Sequence, residues 1–221
     1  MVCWKDIDVV IPAVLSIPGR ANSLRDLLTA LAKQCPGIQV RILPQYHRPP
    51  NIAKHAFKIL TAGLRDFTRP WVVYLEEDVK LSSDFGKHLP ATLDVVDDDV
   101  GAVSFFSMNP EDIEHIRNGV HFYNSDRPFI FAQCIALRRE VAEAWGRHLI
   151  PWQERAPKNK YALDMALGDC CDEMGVRLLV HLPSLVQHRA DLPSAFGHTA
   201  RPLSRSFQEH AILESKDVND A

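Results

Sequence analysis

Five consecutive apolar residues, Trp71-Val72-Val73-Tyr74-Leu75, run without a break into three carboxylates, Glu76-Glu77-Asp78. A strand with no polar alternation has to be covered on both faces, which places it in the middle of a layered sheet rather than at a solvated edge. The surrounding pattern says which layers. Ile7 to Leu15 is a second apolar strand, followed by Leu24, Leu27, Leu28 and Leu31 at helical spacing, with Ser23 and Asp26 resembling a capping box at the start. Pro36-Gly37 stops that helix, and Ile38 to Leu43 reads as a strand. A helix carrying Ile52, Ala56, Ile59, Leu60 and Gly63 then leads to Trp71. Strand, helix, strand, helix, strand at this spacing predicts right-handed crossovers and an α/β fold with a mainly parallel sheet.

The second half is less regular. Phe85, Leu89 and Leu93 predict a helix, Val100 to Phe106 a strand, and Asn109 to Asp126 a polar loop. Pro128 to Leu137 reads as a strand and Arg139 to His148 as a short helix. Ala162 to Met174 is a helix closed by Gly175, followed by a strand over Val176 to His181. From Leu182 the chain is rich in Pro, Ser, Arg and His with little periodicity. With no repeat or linker, residues 1–221 are expected to form one domain, in which about 182–221 is an irregular segment closing over the site.

Composition narrows the class. The chain has 221 residues, 46% apolar and 24% charged, the profile of a globular protein. No run approaches the ~18 uncharged apolar residues of a membrane span. Lys5, Asp6 and Asp8 stand where a signal peptide needs an apolar stretch, so a cytoplasmic location is expected. Five cysteines without paired metal spacing fit reduced thiols rather than a zinc ribbon or a disulfide framework. Net charge is −3, unevenly spread: Arg41 to Arg69 carries +5 and Glu76 to Glu114 carries −9. That contrast is ordinary on solvated faces, and it is also what a site holding a phosphate ligand through a metal needs.

The carboxylate triplet is the sharpest chemical feature. In open α/β sheets ligands bind beyond the carboxyl ends of the strands. Acids gathered there repel one another unless something positive sits among them. Carboxylate oxygens suit Mg²⁺ or Mn²⁺, which bridge to nucleotide phosphates. Tyr74-Leu-Glu-Glu-Asp-Val79, with Ser83-Asp84-Phe85 after it, resembles the acidic metal motif of GT-A-fold glycosyltransferases, most closely the Glu-Asp-Asp form of N-acetylglucosaminyltransferases. The resemblance implies a GT-A, Rossmann-like, mixed and mainly parallel sheet flanked by helices, with Asp78 as metal ligand and Glu76 and Glu77 facing the donor.

Two further segments resemble the same family. Leu182-Pro-Ser-Leu-Val-Gln-His188, followed by Ser194, Gly197 and Arg201, is similar to the segment that closes over the diphosphate, which implies His188 as a metal or phosphate contact and Arg201 as a donor contact. An imidazole in an oxygen-rich site leans towards Mn²⁺. Ile11 to Arg20 ends the first strand before a helix N-terminus. It is similar to the base- and ribose-binding segment, which implies that Pro12, Ser16 and Arg20 meet the donor, Arg20 through a phosphate or the base edge.

An inverting transfer also needs a carboxylate base for the acceptor hydroxyl. The resemblance implies an acid early in the helix before the Pro-Ser-Leu segment; Asp164 fits best and Asp169 second, and a first-turn acid favoured by the helix dipole is the competing explanation.

The chain is therefore expected to be a hexosyl- or N-acetylhexosaminyltransferase moving sugar from a UDP-sugar to an acceptor hydroxyl. Acceptor candidates are hydroxymethylated pyrimidines in phage DNA, as for virus-encoded enzymes of this kind, or a saccharide or lipid-linked acceptor. Sugar-nucleotide pyrophosphorylases share fold and metal but open with a Gly-rich loop, where this chain has only Gly19. A nucleotide-binding interaction module is the non-enzymatic alternative.

Overall fold

A computed structural model describes residues 1–45, 68–125, 133–155, 162–192 and 203–207. After a 3-10 turn at Trp4–Asp6 come β1 (Ile7–Val14), α1 (Arg20–Gln34), β2 (Gln39–Gln45), β3 (Trp71–Leu75) and β4 (Val79–Leu81). There follow α2 (Phe85–Val95), β5 (Val100–Ser104), α3 (Asp112–Arg117), β6 (Phe122–Asn124) and β7 (Cys134–Arg138). The remaining elements are α4 (Arg139–Arg155), α5 (Ala162–Glu173), β8 (Arg177–His181) and β9 (Val186–His188).

Seven strands form the central sheet in the order β2-β1-β3-β7-β5-β8-β6. β1 is parallel to β2 and β3, β7 is antiparallel to β3 and β5, β8 is parallel to β5, and β6 is antiparallel to β8. Five of the seven therefore point the same way, and the expected mixed, mainly parallel sheet is present. The expected helix over Ile52 to Gly63 lies outside the described residues.

The apolar run of β3 is divided between two cores by the pleat. Trp71, Val73 and Leu75 join Ile7, Leu24, Leu27, Leu31, Phe85 and Leu89 on the α1 and α2 side. Val72 and Tyr74 join Val141, Trp145, Leu167 and Cys171 beneath α4 and α5. The Tyr74 and Trp145 rings meet edge to face at 5.9 Å, a favoured aromatic geometry. All five cysteines are free. Burial pushes the Cys170 thiol up to about 11, so it packs as a small apolar side chain.

Several local expectations are corrected. α1 begins at Arg20, behind Gly19 with φ +84°, and not at Ser23. Ser23 lies inside the helix, where its hydroxyl donates to the Glu77 carbonyl at 2.9 Å. The polar stretch after Asn109 contains α3 and β6, each too short to show periodicity; β6 exists because it pairs with β8. α4 continues through Pro151, since a proline removes one helix hydrogen bond without having to end the helix. β9 lies in the segment without periodicity and pairs antiparallel with β4, three residues against three. No helix among the described residues is long and apolar enough to cross a membrane.

Candidate active site

The parallel strands deliver four connections to one edge of the sheet: the turn from Val14 to Arg20, the acids after β3, the Phe105–Ser107 stretch after β5, and the segment after β8. Two of the three acids are withdrawn from solvent, and Glu76 is half-buried. Arg20 is 3% exposed, Glu77 3%, Asp78 1% and His188 6%, so this is an interior polar site. Three charged side chains at such depth require mutual compensation.

Two arms hold the acid loop. From α1, the Arg20 guanidinium pairs with Glu77 Oε1 through Nη1 and with Asp78 Oδ2 through Nη2, the latter at 2.9 Å. The Val14 amide also donates to Glu77 Oε1, at 3.2 Å. Burial holds the Glu77 carboxyl above its usual range, against the opposing charge and hydrogen bond of Arg20.

The second arm is the β4–β9 ribbon. Its register sets Val79 opposite His188, which carries the imidazole back beside residues 76–78. The Arg189 amide donates to the Asp78 carbonyl at 2.8 Å. His188 Nε2 lies 3.0 Å from Glu76 Oε2, and the ring leans on Phe106 at 5.7 Å between centroids. Further along, Arg189 pairs with Asp26 on α1 at 2.9 Å, so the segment after β9 is fastened to the helix that carries Arg20.

Glu76, Asp78 and His188 each present a ligand atom, all within 4.8 Å of one another. Two carboxylates and one imidazole converging at this distance fit a divalent ion of the Mn²⁺ or Mg²⁺ type, with the nitrogen favouring Mn²⁺.

Asp78, Glu76 and His188 are brought together, while Glu77 turns away from that trio to Arg20. The guanidinium expected at a phosphate or base edge is held inside, between two carboxylates. Pro12 is buried in β1 opposite Leu43, and Ser16 is exposed in the turn before α1. Arg201 lies outside the described residues.

Asp164 is half-buried in the first turn of α5, on the stripe of the buried Leu167 and Cys171. Burial chiefly, and then the charges of Glu76, Glu77, Asp164 and Asp78, raise the Tyr74 hydroxyl well above its usual value. Asp164 thus belongs to the same electrostatic neighbourhood as the acid triplet. Asp169, half-buried five residues later, faces about 140° away on the helix.

Sequence reasoning included Ser184 and Gln187 in the closing motif but missed their anchoring role, and it missed Ser204 and Ser206 altogether. Gln187 Nε2 donates to the Ser204 carbonyl at 2.8 Å, and the Ser204 amide donates to Gln187 Oε1 at 2.9 Å. Ser184, Ser204 and Ser206 form a buried triangle of hydroxyls 2.8–3.2 Å apart. The available signal was weak: a Ser-x-Ser pair twenty residues after Ser184.

No protein-family model matches the chain, and no curated protein sequence matches it. Solved structures do. A glycosyltransferase involved in the glycosylation of the major capsid of PBCV-1 aligns with TM-score 0.56 at 14% identity, over 94% of this chain and 98% of that one. Glucosyl-3-phosphoglycerate synthase from Mycobacterium tuberculosis, in complex with Mn²⁺, UDP and phosphoglyceric acid, aligns with TM-score 0.50 at 15% identity, over 83% of this chain and 70% of that one. The same enzyme with Mg²⁺ and UDP aligns with TM-score 0.50 at 13% identity, over 83% and 71%. The chain has the GT-A, Rossmann-like fold of these glycosyltransferases.

Proposed function

We propose that this chain is a metal-dependent glycosyltransferase that moves a sugar from a UDP-sugar to an acceptor hydroxyl. The observation that carries the reading is the Glu76, Asp78 and His188 set at the carboxyl edge of a GT-A sheet. The mycobacterial structures of the same fold contain UDP with Mn²⁺ or Mg²⁺, which supports the choice of donor and ion. When bound, a divalent ion supplies Lewis-acid stabilisation of the leaving diphosphate.

The chain's own residues do the rest. Glu76, Asp78 and His188 hold the ion, and the Val14–Arg20 turn, with Pro12 beneath it and Ser16 at its surface, receives the nucleoside. Arg201, which lies outside the described residues, is the proposed donor contact contributed by the C-terminal segment. Asp164 takes the proton from the acceptor hydroxyl; its place on the inward stripe of α5, among the charges around Tyr74, supports it over Asp169. The chain acts as one domain, and the hydrogen bonds between Gln187 and Ser204 support a C-terminal segment folded back over the site.

The proposed acceptor is hydroxymethylated DNA, with a saccharide or lipid-linked acceptor as the alternative. Of the six bases between Arg41 and Arg69, Arg69 is used internally, pairing with the buried Asp8 at 3.3 Å. Arg48, Lys54, Lys58 and Arg65 lie outside the described residues. A DNA acceptor predicts a steep salt dependence, a slope of about −0.9 per phosphate contact, whereas a small saccharide predicts almost none. The decisive experiment is a donor screen: incubation with Mn²⁺ and a panel of nucleotide sugars, reading released nucleoside diphosphate. Release from UDP-sugars that EDTA abolishes and Mn²⁺ restores is expected. Release from no donor, with or without acceptor, removes the enzyme reading.

A further inference from the structure

The donor-binding role first expected of Arg20 does not suit where its guanidinium lies. An incoming phosphate would have to break two buried ion pairs to reach it, with Glu77 and with Asp78. We propose that Arg20 is instead a positioning residue of the metal site, acting through Asp78 and Glu77. This rests on the metal-dependent reading above.

Three observations carry it. The planar guanidinium fork can hold two carboxylates at once in fixed directions, which an ammonium cannot. Here it hydrogen-bonds Glu77 and lies in ion-pair contact with Asp78 at 2.9 Å, so two consecutive carboxylates share one buried cation. Arg20 is itself anchored. It is the first residue of α1, entered through Gly19 at φ +84°, a backbone state that side-chain-bearing residues resist. A Cβ at Gly19 would also stand 2.7 Å from Leu192 Cδ2, in the segment that follows His188.

The acid loop is held from its backbone as well, by Ser23 at the Glu77 carbonyl and by Arg189 at the Asp78 carbonyl. Asp78 therefore faces Glu76 and His188 because Arg20 holds its carboxylate from the α1 side. Partners of this kind, one bond behind the ligands, orient the ligand and tune its affinity.

The test is Mn²⁺ affinity without nucleotide, read from the paramagnetic resonance of free Mn²⁺, on wild type, Arg20→Met and Arg20→Lys, with circular dichroism as the check on folding. Arg20→Met should bind Mn²⁺ about 10–100-fold more weakly. Arg20→Lys should fall between the two, because it keeps the charge but loses the fork. A merely structural arginine would lower the melting temperature and leave the affinity of the folded fraction unchanged. A donor-phosphate contact would weaken UDP binding with Mn²⁺ affinity intact. Either result overturns the proposal, as does tighter Mn²⁺ binding. If Arg20→Met does not fold, Arg20→Lys decides: weaker Mn²⁺ binding supports the role and wild-type binding refutes it. Wild type that binds no Mn²⁺ overturns the metal reading together with this one. Wild type that binds, with indifferent Arg20 variants, overturns this one alone.

Discussion

Removing the amide of Gln187 should release the C-terminal segment from the motif that carries His188. The side chain is buried and makes two hydrogen bonds to one residue, donating to the Ser204 carbonyl at 2.8 Å and accepting from the Ser204 amide at 2.9 Å. Gln187→Ala leaves both backbone groups without their partner. Each buried polar group so stranded costs about 1–3 kcal/mol, reduced where water enters the space. A loss of about 2–4 kcal/mol is therefore expected, or about 4–16 °C in melting temperature for a chain of this length. The serine triangle cannot replace the lost bonds, because Ser204 and Ser206 already satisfy Ser184. Urea unfolding measures the global loss, and hydrogen exchange at the Ser204 amide reads the local one. Gln187→Glu should rescue little, since it sets a carboxylate oxygen against the Ser204 carbonyl. Stability within about 0.5 kcal/mol of wild type, the range of an ordinary surface substitution, with Ser204 still protected, would refute the argument.

Other predictions concern charge. Burial lowers the His181 imidazole to about 4; it lies against Phe105 and Phe122 with Nδ1 donating to the Pro183 carbonyl at 2.9 Å. The unfolded chain takes up that proton near 6.5, so stability should fall as pH drops from about 6.5 to about 4, by about 3 kcal/mol from this group. His181→Leu should flatten that part of the pH–stability profile, and an unchanged slope would contradict it. Asp164→Asn should abolish transfer to acceptor with donor affinity preserved, read as transfer rate against UDP-sugar binding; an active Asp164→Asn beside an inactive Asp169→Asn would reverse the two. Asp78→Ala should eliminate Mn²⁺-dependent donor binding while circular dichroism stays native, and wild-type binding by this variant would exclude Asp78 as a ligand.

How much was readable in the sequence depended on where the stabilising contacts come from. β3 was legible because five apolar residues in a row require cover on both faces, and its alternate side chains do enter two separate cores. The acid triplet was legible because so many carboxylates after a buried strand need a reason. The start of α1 was not, since Ser23 and Asp26 imitate a cap while the real entry depends on Gly19 and on contacts with Glu77, more than fifty residues away. The partners of Arg20 were not legible either: a base at a helix start suggests an anion from outside, and the structure pairs it with Glu77 and Asp78. β9 and β6 have three residues each, too few for a period, and are strands only because β4 and β8 offer partners.

A crystal of the protein grown with Mn²⁺ and UDP, measured at a wavelength where manganese scatters anomalously, bears most directly on the central claim. An anomalous peak within bonding distance of Glu76, Asp78 and His188, and next to the UDP diphosphate, is the expected result. A peak elsewhere, or UDP bound at the sheet edge with no metal between it and these three side chains, would contradict it.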